Sequence, residues 1–468
     1  MEEKEGRNIR AERMTLRFQQ CPLPPPQLQT QLRLKKNNTI RCTLTKQGQR
    51  FLTKLSTTNT NTENLIRKFV QSSPKSVLLS TLTHLLSPTT AHHPLSSLAL
   101  PLYTRISESQ WYTWNPTIFA DLITLLHKHQ RYTESQTLIS EATSKLNNKE
   151  RDIVLFYAKL LDSHSKRASQ TGFDFAYSHL NNLLRTSSSI YVKRRASESM
   201  VSGLCAMDKP REAENLVQEF KRTDGGGKIQ LQPSAFEFKS ILYGYGRLGL
   251  FNDLNRVVDE MENNGFVIDT VCYNMVLSSF GIHGEYVEMV SWLTRMRNSG
   301  VPFSVRTYNS VSNSCPTVMR KVVDLNDLAF SIEELLNSCL EGGEAMVVKE
   351  LLSCNVLFDE VMVWDSKEVK LDLHGFHLGS AYLVMLLWLE EMQKRLLNAS
   401  NHDIPAEITV VCGVGKHSNV RGESPVKVLV KEMMMKMKGP LRIDRKNTGC
   451  FVAKGKAVKI WLCELRKQ

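Results

Sequence analysis

Between residues 235 and 304 the apolar positions recur with a helical period and then repeat themselves. Phe238, Ile241, Leu242 and Tyr245 lie on one face of a predicted helix, and Leu254, Val257, Val258 and Met261 do the same on a second. Shifted along the chain by 35 residues, these fall on Tyr273, Val276, Leu277 and Phe280, then on Met289, Trp292, Leu293 and Met296. The glycines shift with them: Gly246 and Gly249 become Gly281 and Gly284, and Gly265 becomes Gly300. The first pair supplies a turn between helices, and Gly265 a left-handed stop. One such hairpin cannot cover both of its apolar stripes, so neighbours must stack.

A third unit opens at Arg306-Thr307-Tyr308-Asn309, but Pro316 stands near its expected turn and the pattern is lost beyond it. Upstream, Ser202-Gly203-Leu204-Cys205 with Ala213 reads as a degenerate unit, and Phe119 to Ile139 and Tyr157 to Leu184 as weaker ones. Leu325 to Leu340 and Glu344 to Leu352 carry helical periodicity without a functional reading.

The texture changes at Glu368. Val369 to Gly375 reads as a strand, followed by a helix with Ala381, Val384, Trp388 and Met392 on one face. Ile408 to Cys412 is a continuous apolar run, the mark of a buried strand, and opens into Gly413-Val414-Gly415-Lys416-His417-Ser418. Ser424-Pro425 starts another helix, and the segments around Leu441 to Asp444, Phe451 to Ala453 and Ala457 to Leu462 read as closing strands. The expected fold is an α-helical solenoid of stacked two-helix repeats, followed by a small α/β sandwich domain.

The central residues resemble the pentatricopeptide repeat family, whose members bind RNA in plant organelles. In that family a base is read by the residue after the conserved aromatic together with the last residue of the unit. Carried over, the selector pairs are Lys239 with Asp269 and Asn274 with Ser304, while Asn309 opens a third pair without a partner. Asn with Ser implies a weak pyrimidine preference, whereas Lys with Asp implies none. A decayed array acting as a helical scaffold stays open beside this.

The C-terminal segment resembles the small MutS-related domain. Leu371, Asp372, His374 and Gly375 match its first motif in full. Cys412-Gly413-Val414-Gly415 matches the second, with Cys where the family has Thr. The resemblance implies nucleic-acid contact, and in some members cleavage. The catalytic candidates are Asp372, His374 and His417, and Gly413, Gly415 and Lys416 are the candidate phosphate-binding residues. No metal ligands and no certain cofactor are assigned, and a divalent ion such as magnesium enters only if the domain is a nuclease. Asp372 bracing a turn and His374 as a structural histidine are the open alternatives.

The ten cysteines include no C-x-x-C pair, which removes zinc knuckles and dithiol redox sites. A formal charge of +13 favours a polyanionic partner, and fourteen Lys or Arg between Lys416 and the C-terminus face four acids. The expected partner is RNA, with DNA and organellar nucleoid or ribosome components as alternatives. The longest apolar run, Ala381 to Leu389, is far short of the roughly 20 residues that span a bilayer, so no membrane is expected. From Met14 to Thr62 there is no Asp or Glu among many basic and hydroxylated residues. That composition predicts a transit peptide, to the chloroplast first and the mitochondrion second. The resulting division is 1–62 leader and disordered basic segment, 63–115 helical lead-in, 116–315 repeats, 316–367 helical linker and 368–468 C-terminal domain.

Overall fold

The computed structural model describes residues 44–57, 62–87, 94–146, 149–222, 231–325, 328–339, 342–353, 356–365, 368–398, 404–415 and 424–465. The chain divides into two compact units, residues 1–112 and 113–468.

In the first unit four helices, α1 (Lys46–Thr57), α2 (Thr62–Ser72), α3 (Lys75–Leu86) and α4 (Ala99–Ser107), share one core. Phe51 stacks flat on Phe69 at 3.8 Å, and Ile66, Leu78, Leu82 and Leu102 are buried around them. The expectation of an unstructured segment reaching to residue 62 therefore fails over Lys46–Thr57. Its amphipathic pattern had been masked by the Thr-rich composition around it. Residues 1–43 lie outside the described residues.

The second unit begins with six helical hairpins in series. They are α5 (Pro116–Lys128) with α6 (Tyr132–Leu146), α7 (Glu150–Lys166) with α8 (Gln170–Thr186), and α9 (Ile190–Ala206) with α10 (Pro210–Arg222). Then come α11 (Ala235–Arg247) with α12 (Phe251–Asn263), α13 (Thr270–His283) with α14 (Tyr286–Asn298), and α15 (Val305–Asn313) with α16 (Pro316–Val323). Each first helix packs on the next first helix, from α5 through α15, to make a continuous row. The left-handed residue at the first-helix turn is Gln130, Ala168, Asp208, Gly249 and Gly284 in successive units. Only the last two are glycines, and the upstream spacing exceeds 35, which is why a fixed-lag comparison loses those units.

Pro316 does not end the pattern. It occupies the first turn of α16, where its missing N–H costs nothing. Over Leu325 to Leu340, where the sequence carries helical periodicity, the helical parts among the described residues are α17 (Ile332–Glu334) and one wide turn, Leu335–Cys339. After them α18 (Gly342–Leu352) packs on α14 and α15. Glu344 on α18 accepts the Thr317 N–H at 3.0 Å, capping α16.

After α19 (Val356–Val361), strands β1 (Met362–Trp364) and β2 (Glu368–Asp372) pair antiparallel. The long helix α20 (Leu378–Asn398) then crosses over to β3 (Glu407–Val411), parallel to β2. Helix α21 (Pro425–Lys436), β4 (Arg442–Ile443), β5 (Cys450–Lys454) and α22 (Gly455–Leu465) complete a five-stranded sheet of order β1-β2-β3-β5-β4. β1 lies in residues expected to be linker, because three residues are too few to show an alternation. The run from Ala457 to Leu462, expected as a strand, belongs to α22. Val458, Trp461 and Leu462 are buried at helical spacing, and Ile460 is exposed.

One buried group ties acid stability to this packing. His164 on α7 is fully buried against His127 of α5, ring centroids 5.0 Å apart, and neither of its nitrogens has a hydrogen-bond partner among the described residues. Gly172 of α8 lies so close to the ring that any Cβ would collide with it. Burial, then His127 and Arg167, push the imidazole down to about 3. The unfolded chain therefore takes up a proton near pH 6.5 that the folded chain refuses. Stability from this group is complete above that pH and is lost as pH falls toward 3, at up to about 1.4 kcal/mol per pH unit. Urea unfolding of wild type and His164→Leu across pH 7 to pH 4 checks this, since the substitution flattens the acid slope.

Candidate nucleic-acid interface

In each hairpin the residue ten places ahead of the left-handed turn follows a buried residue of the first helix. Those positions are Ala120, Ala158, Glu198, Lys239 and Asn274, with Asn309 equivalent in the last unit. The two alanines offer no hydrogen-bonding group. Glu198 is an acid whose carboxyl is pushed up by burial and held by Arg195 at 3.4 Å.

Lys239 and Asp269, read as a selector pair, are paired with one another: Nζ to Oδ2 is 2.7 Å. Asp269 also N-caps α13, accepting the Cys272 N–H at 3.0 Å. Burial alone would raise its carboxyl, but the Lys239 ammonium and the Cys272 N–H outweigh that and hold it below the usual range. Ser304 N-caps α15 in a reciprocal box with Thr307, accepting its N–H at 3.2 Å. Asn274 is buried in α13, and its side-chain oxygen has no partner among the described residues. Asn309 does not stand with the others. Its amide nitrogen donates to Gly375 O at 2.8 Å and its oxygen accepts the His377 N–H at 2.8 Å and the Ser380 hydroxyl. Those bonds occupy the groups a base would need, so the selector assignment for Asn309 is withdrawn.

The two C-terminal motifs meet at the carboxyl ends of the parallel strands β2 and β3, the usual place for a ligand in such a sheet. Asp372 ends β2, and its Oδ1 accepts the His374 N–H at 2.9 Å and lies 2.9 Å from His374 Nδ1. A left-handed Gly375, at φ +81, turns the chain away toward α20. Across the strand gap stands Gly413, at φ +78, where a Cβ would come 3.2 Å from His374 Nε2. The imidazole is thus held at one nitrogen by Asp372 while the other faces the glycine loop. Both side chains are accessible, at 63% for His374 and 44% for Asp372.

The expected phosphate cradle differs in detail. The N–H groups of Cys412 and Gly413 donate to Gly449 O at 2.8 and 3.1 Å, so neither is free for an anion. Antiparallel β5 reaches the loop here because Gly449 lacks a side chain: a Cβ would lie 2.9 Å from the Gly413 carbonyl carbon. Gly415 keeps a left-handed backbone at φ +70, while Lys416 and His417 lie outside the described residues. Cys412 is buried, and burial pushes its thiol to about 12, so it stays protonated at neutral pH.

The sequence reading missed the third piece of this site, the loop from Asp444 to Cys450. Asp444 accepts the N–H groups of Lys446 and Asn447 at 3.0 and 3.2 Å, and Asn447 accepts that of Gly449 at 3.1 Å. The closed turn presents Arg445 and Lys446 to solvent beside the glycine loop. Its one legible signal was the Asp-x-x-Asn-x-Gly spacing of turn-forming residues. Among the described residues no three His, Cys, Asp or Glu side chains gather as metal ligands. Among them, too, no helix is long and apolar enough to cross a membrane.

Comparison with known proteins agrees with the hairpin geometry. The family model described as PPR repeat matches residues 198–223, 238–266 and 271–301. A pentatricopeptide repeat-containing protein of Arabidopsis thaliana is 50% identical over 426 residues, which cover 90% of this chain and 83% of that protein. The chain belongs to the pentatricopeptide repeat family.

Two further Arabidopsis proteins of the same description match less of it. One is 33% identical over 94 residues, covering 20% of this chain and 11% of its own length. The other is 24% identical over 244 residues, covering 52% and 37%. A crystal structure of the pentatricopeptide repeat protein PPR10 in complex with an 18-nt psaJ RNA element aligns at 17% identity with a TM-score of 0.34, covering 66% of this chain and 43% of that one. The chain therefore spans less than half of that protein. The three matched pentatricopeptide segments fall on α9–α10, α11–α12 and α13–α14, the hairpins ahead of the one that bears Asn309.

The close approach at Gly449 gives a direct check. Gly449→Ala forces β5 away from the glycine loop and destabilises the second unit by about 1–3 kcal/mol, read as a lower urea midpoint. An unchanged midpoint would show that the loop tolerates a side chain and is not locked in this way.

Proposed function

We propose that this chain is an RNA-binding protein in which the first-helix row receives a single strand and the C-terminal domain engages the phosphates beside it. Three features support the reading. The chain belongs to the pentatricopeptide repeat family, PPR10 of that family is described in complex with RNA, and the C-terminal segment carries an excess of Lys and Arg. The observation that carries the C-terminal half is the Asp372–His374 pair facing the Gly413 loop. Its motifs are those of the small MutS-related domain. With Nδ1–H donating to Asp372, the His374 Nε2 lone pair faces the loop, poised to take a proton from a nucleophile or to bind a phosphate oxygen through its protonated form.

Base reading is narrow under this proposal. Two of the equivalent positions are alanine, Lys239 is tied to Asp269, and Asn309 is tied to Gly375 and His377. Asn274, whose side-chain oxygen has no partner among the described residues, is left as the side chain able to discriminate a base, and phosphate contact supplies most of the affinity. The same observation favours a second reading, a helical scaffold that protects RNA or docks on nucleoid or ribosome components without cutting. The acid-free stretch from Met14 onward supports delivery to the chloroplast, with the mitochondrion as the rival.

Full-length protein titrated with single-stranded RNA at several salt concentrations tests both parts. Binding with a steep salt slope is expected, and Asn274→Ala weakens base preference roughly two- to tenfold while leaving the slope unchanged. Protein that ignores RNA at low salt would end the proposal. The same RNA is assayed for cleavage with and without magnesium, using Asp372→Ala and His374→Ala. Nicking that drops by about 100-fold or more in either variant makes the domain a nuclease. Intact RNA in every lane makes it a phosphate-binding module.

A further inference from the structure

The last first-helix, α15, occupies the place of a reading unit, yet its inner face is turned into the C-terminal domain. Asn309 grips the chain on both sides of Phe376, through Gly375 O at 2.8 Å and the His377 N–H at 2.8 Å, and bonds the Ser380 hydroxyl at the start of α20. Asn313 lies one turn further on, with its amide nitrogen 2.8 Å from His377 Nδ1. Tyr308, the aromatic of the repeat pattern, meets Phe376 edge-on at 6.5 Å, and Val305 lies against Gly375. Two residues before Gly375 the same loop ends at Asp372–Leu373, and between them sits His374.

We infer that α15 is a clamp rather than a reading unit, and that Asn309 is a positioning residue fixing the Asp372–His374 loop to the end of the first-helix row. The loop is held from one side by the sheet, where Leu373 N–H donates to Val411 O at 2.9 Å, and from the other by the repeat array. The two are in direct contact through Asn309, Tyr308 and Val305. The His374 side chain therefore stands at a set place relative to Asn274 on the preceding first helix, α13. It follows that any strand lying on the row meets the C-terminal domain at one constant number of nucleotides from the base at Asn274. This consequence rests on the RNA-binding reading above, whereas the clamp itself rests on the contacts alone.

Two measurements on the full chain separate them. Hydrogen exchange without RNA reads the clamp: Asn309→Ala raises exchange in residues 373–380 roughly tenfold, as expected when a buried bond is lost. The control Tyr382→Phe removes a bond from α20 to Ala329 O at 2.8 Å and leaves residues 373–380 unchanged. If Asn309→Ala does not fold, Asn309→Asp keeps the acceptor for His377 but sets a carboxylate oxygen against the Gly375 carbonyl in place of the donated bond, and exchange in residues 373–380 again rises. Unchanged exchange in a folded Asn309 variant overturns the clamp. Photo-crosslinking to thiouridine-substituted single-stranded RNA reads the consequence. Wild-type crosslinks to the C-terminal domain fall at a single offset from the crosslink at α13, and in Asn309→Ala they spread over several. General destabilisation would weaken every crosslink without spreading them. A single offset retained in Asn309→Ala overturns the fixed spacing. Wild-type protein without crosslinks removes the RNA reading, and the exchange result then decides the clamp alone.

Discussion

A two-helix hairpin is apolar on both flanks, so a row of hairpins always ends with one flank uncovered. Each first helix from α7 to α13 packs between its predecessor and its successor, and α15 is the last of the row. Leaving Tyr308, Val311 and Cys315 to water would cost on the order of several kcal/mol. The chain covers them instead with α18 and with the start of α20, both packed on α15. The C-terminal sheet domain is therefore the terminal cap of the array as well as a candidate site. That double duty explains why Asn309, equivalent by repeat to Asn274, makes three bonds to another part of the protein.

Electrostatics narrows what the row can do. A lysine beside a strand of RNA would ordinarily be a free cation for a phosphate, but Lys239 is mostly buried and lies 2.7 Å from Asp269. Releasing it would leave an unpaired carboxylate at the N-cap of α13 and a desolvated ammonium in its place. Glu198 adds a carboxyl in the middle of the row. Cations gather at the other end of the second unit, where Arg445 and Lys446 stand on a closed turn beside the glycine loop. The charge pattern separates a row whose lysine and acids are paired or buried from a cationic terminus.

The local geometry of that terminus depends on backbone approach more than on side chains. Gly413 must be left-handed for the chain to leave β3, and its lack of a Cβ keeps the space beside His374 Nε2 open. Gly449, just ahead of β5, must lack one for its carbonyl to accept the Cys412 and Gly413 N–H groups. The price of this closeness is that two N–H groups suited to an anion are already bonded.

Periodicity alone determined a good deal. The 3.6-residue spacing of apolar positions and the 35-residue recurrence show two hairpins and the start of a third. The order of strand-like and helix-like runs after Glu368 shows β2, α20, β3 and α21. Both are local signals, carried by residues within a few turns of one another. Upstream hairpins were faint because Gln130, Ala168 and Asp208 make the left-handed turn that glycine marks elsewhere. Three residues of β1 were too short to read, and α22 was too short to tell from a strand. The roles of single side chains were beyond reach for a different reason. Lys239 and Asp269 are 30 residues apart and Asn309 and Gly375 are 66 apart, so only the folded chain brings them together. The sequence names Asn309 as polar and follows it with nothing that foretells its partner, because a hydrogen bond is settled by proximity in space and a pattern records only proximity along the chain.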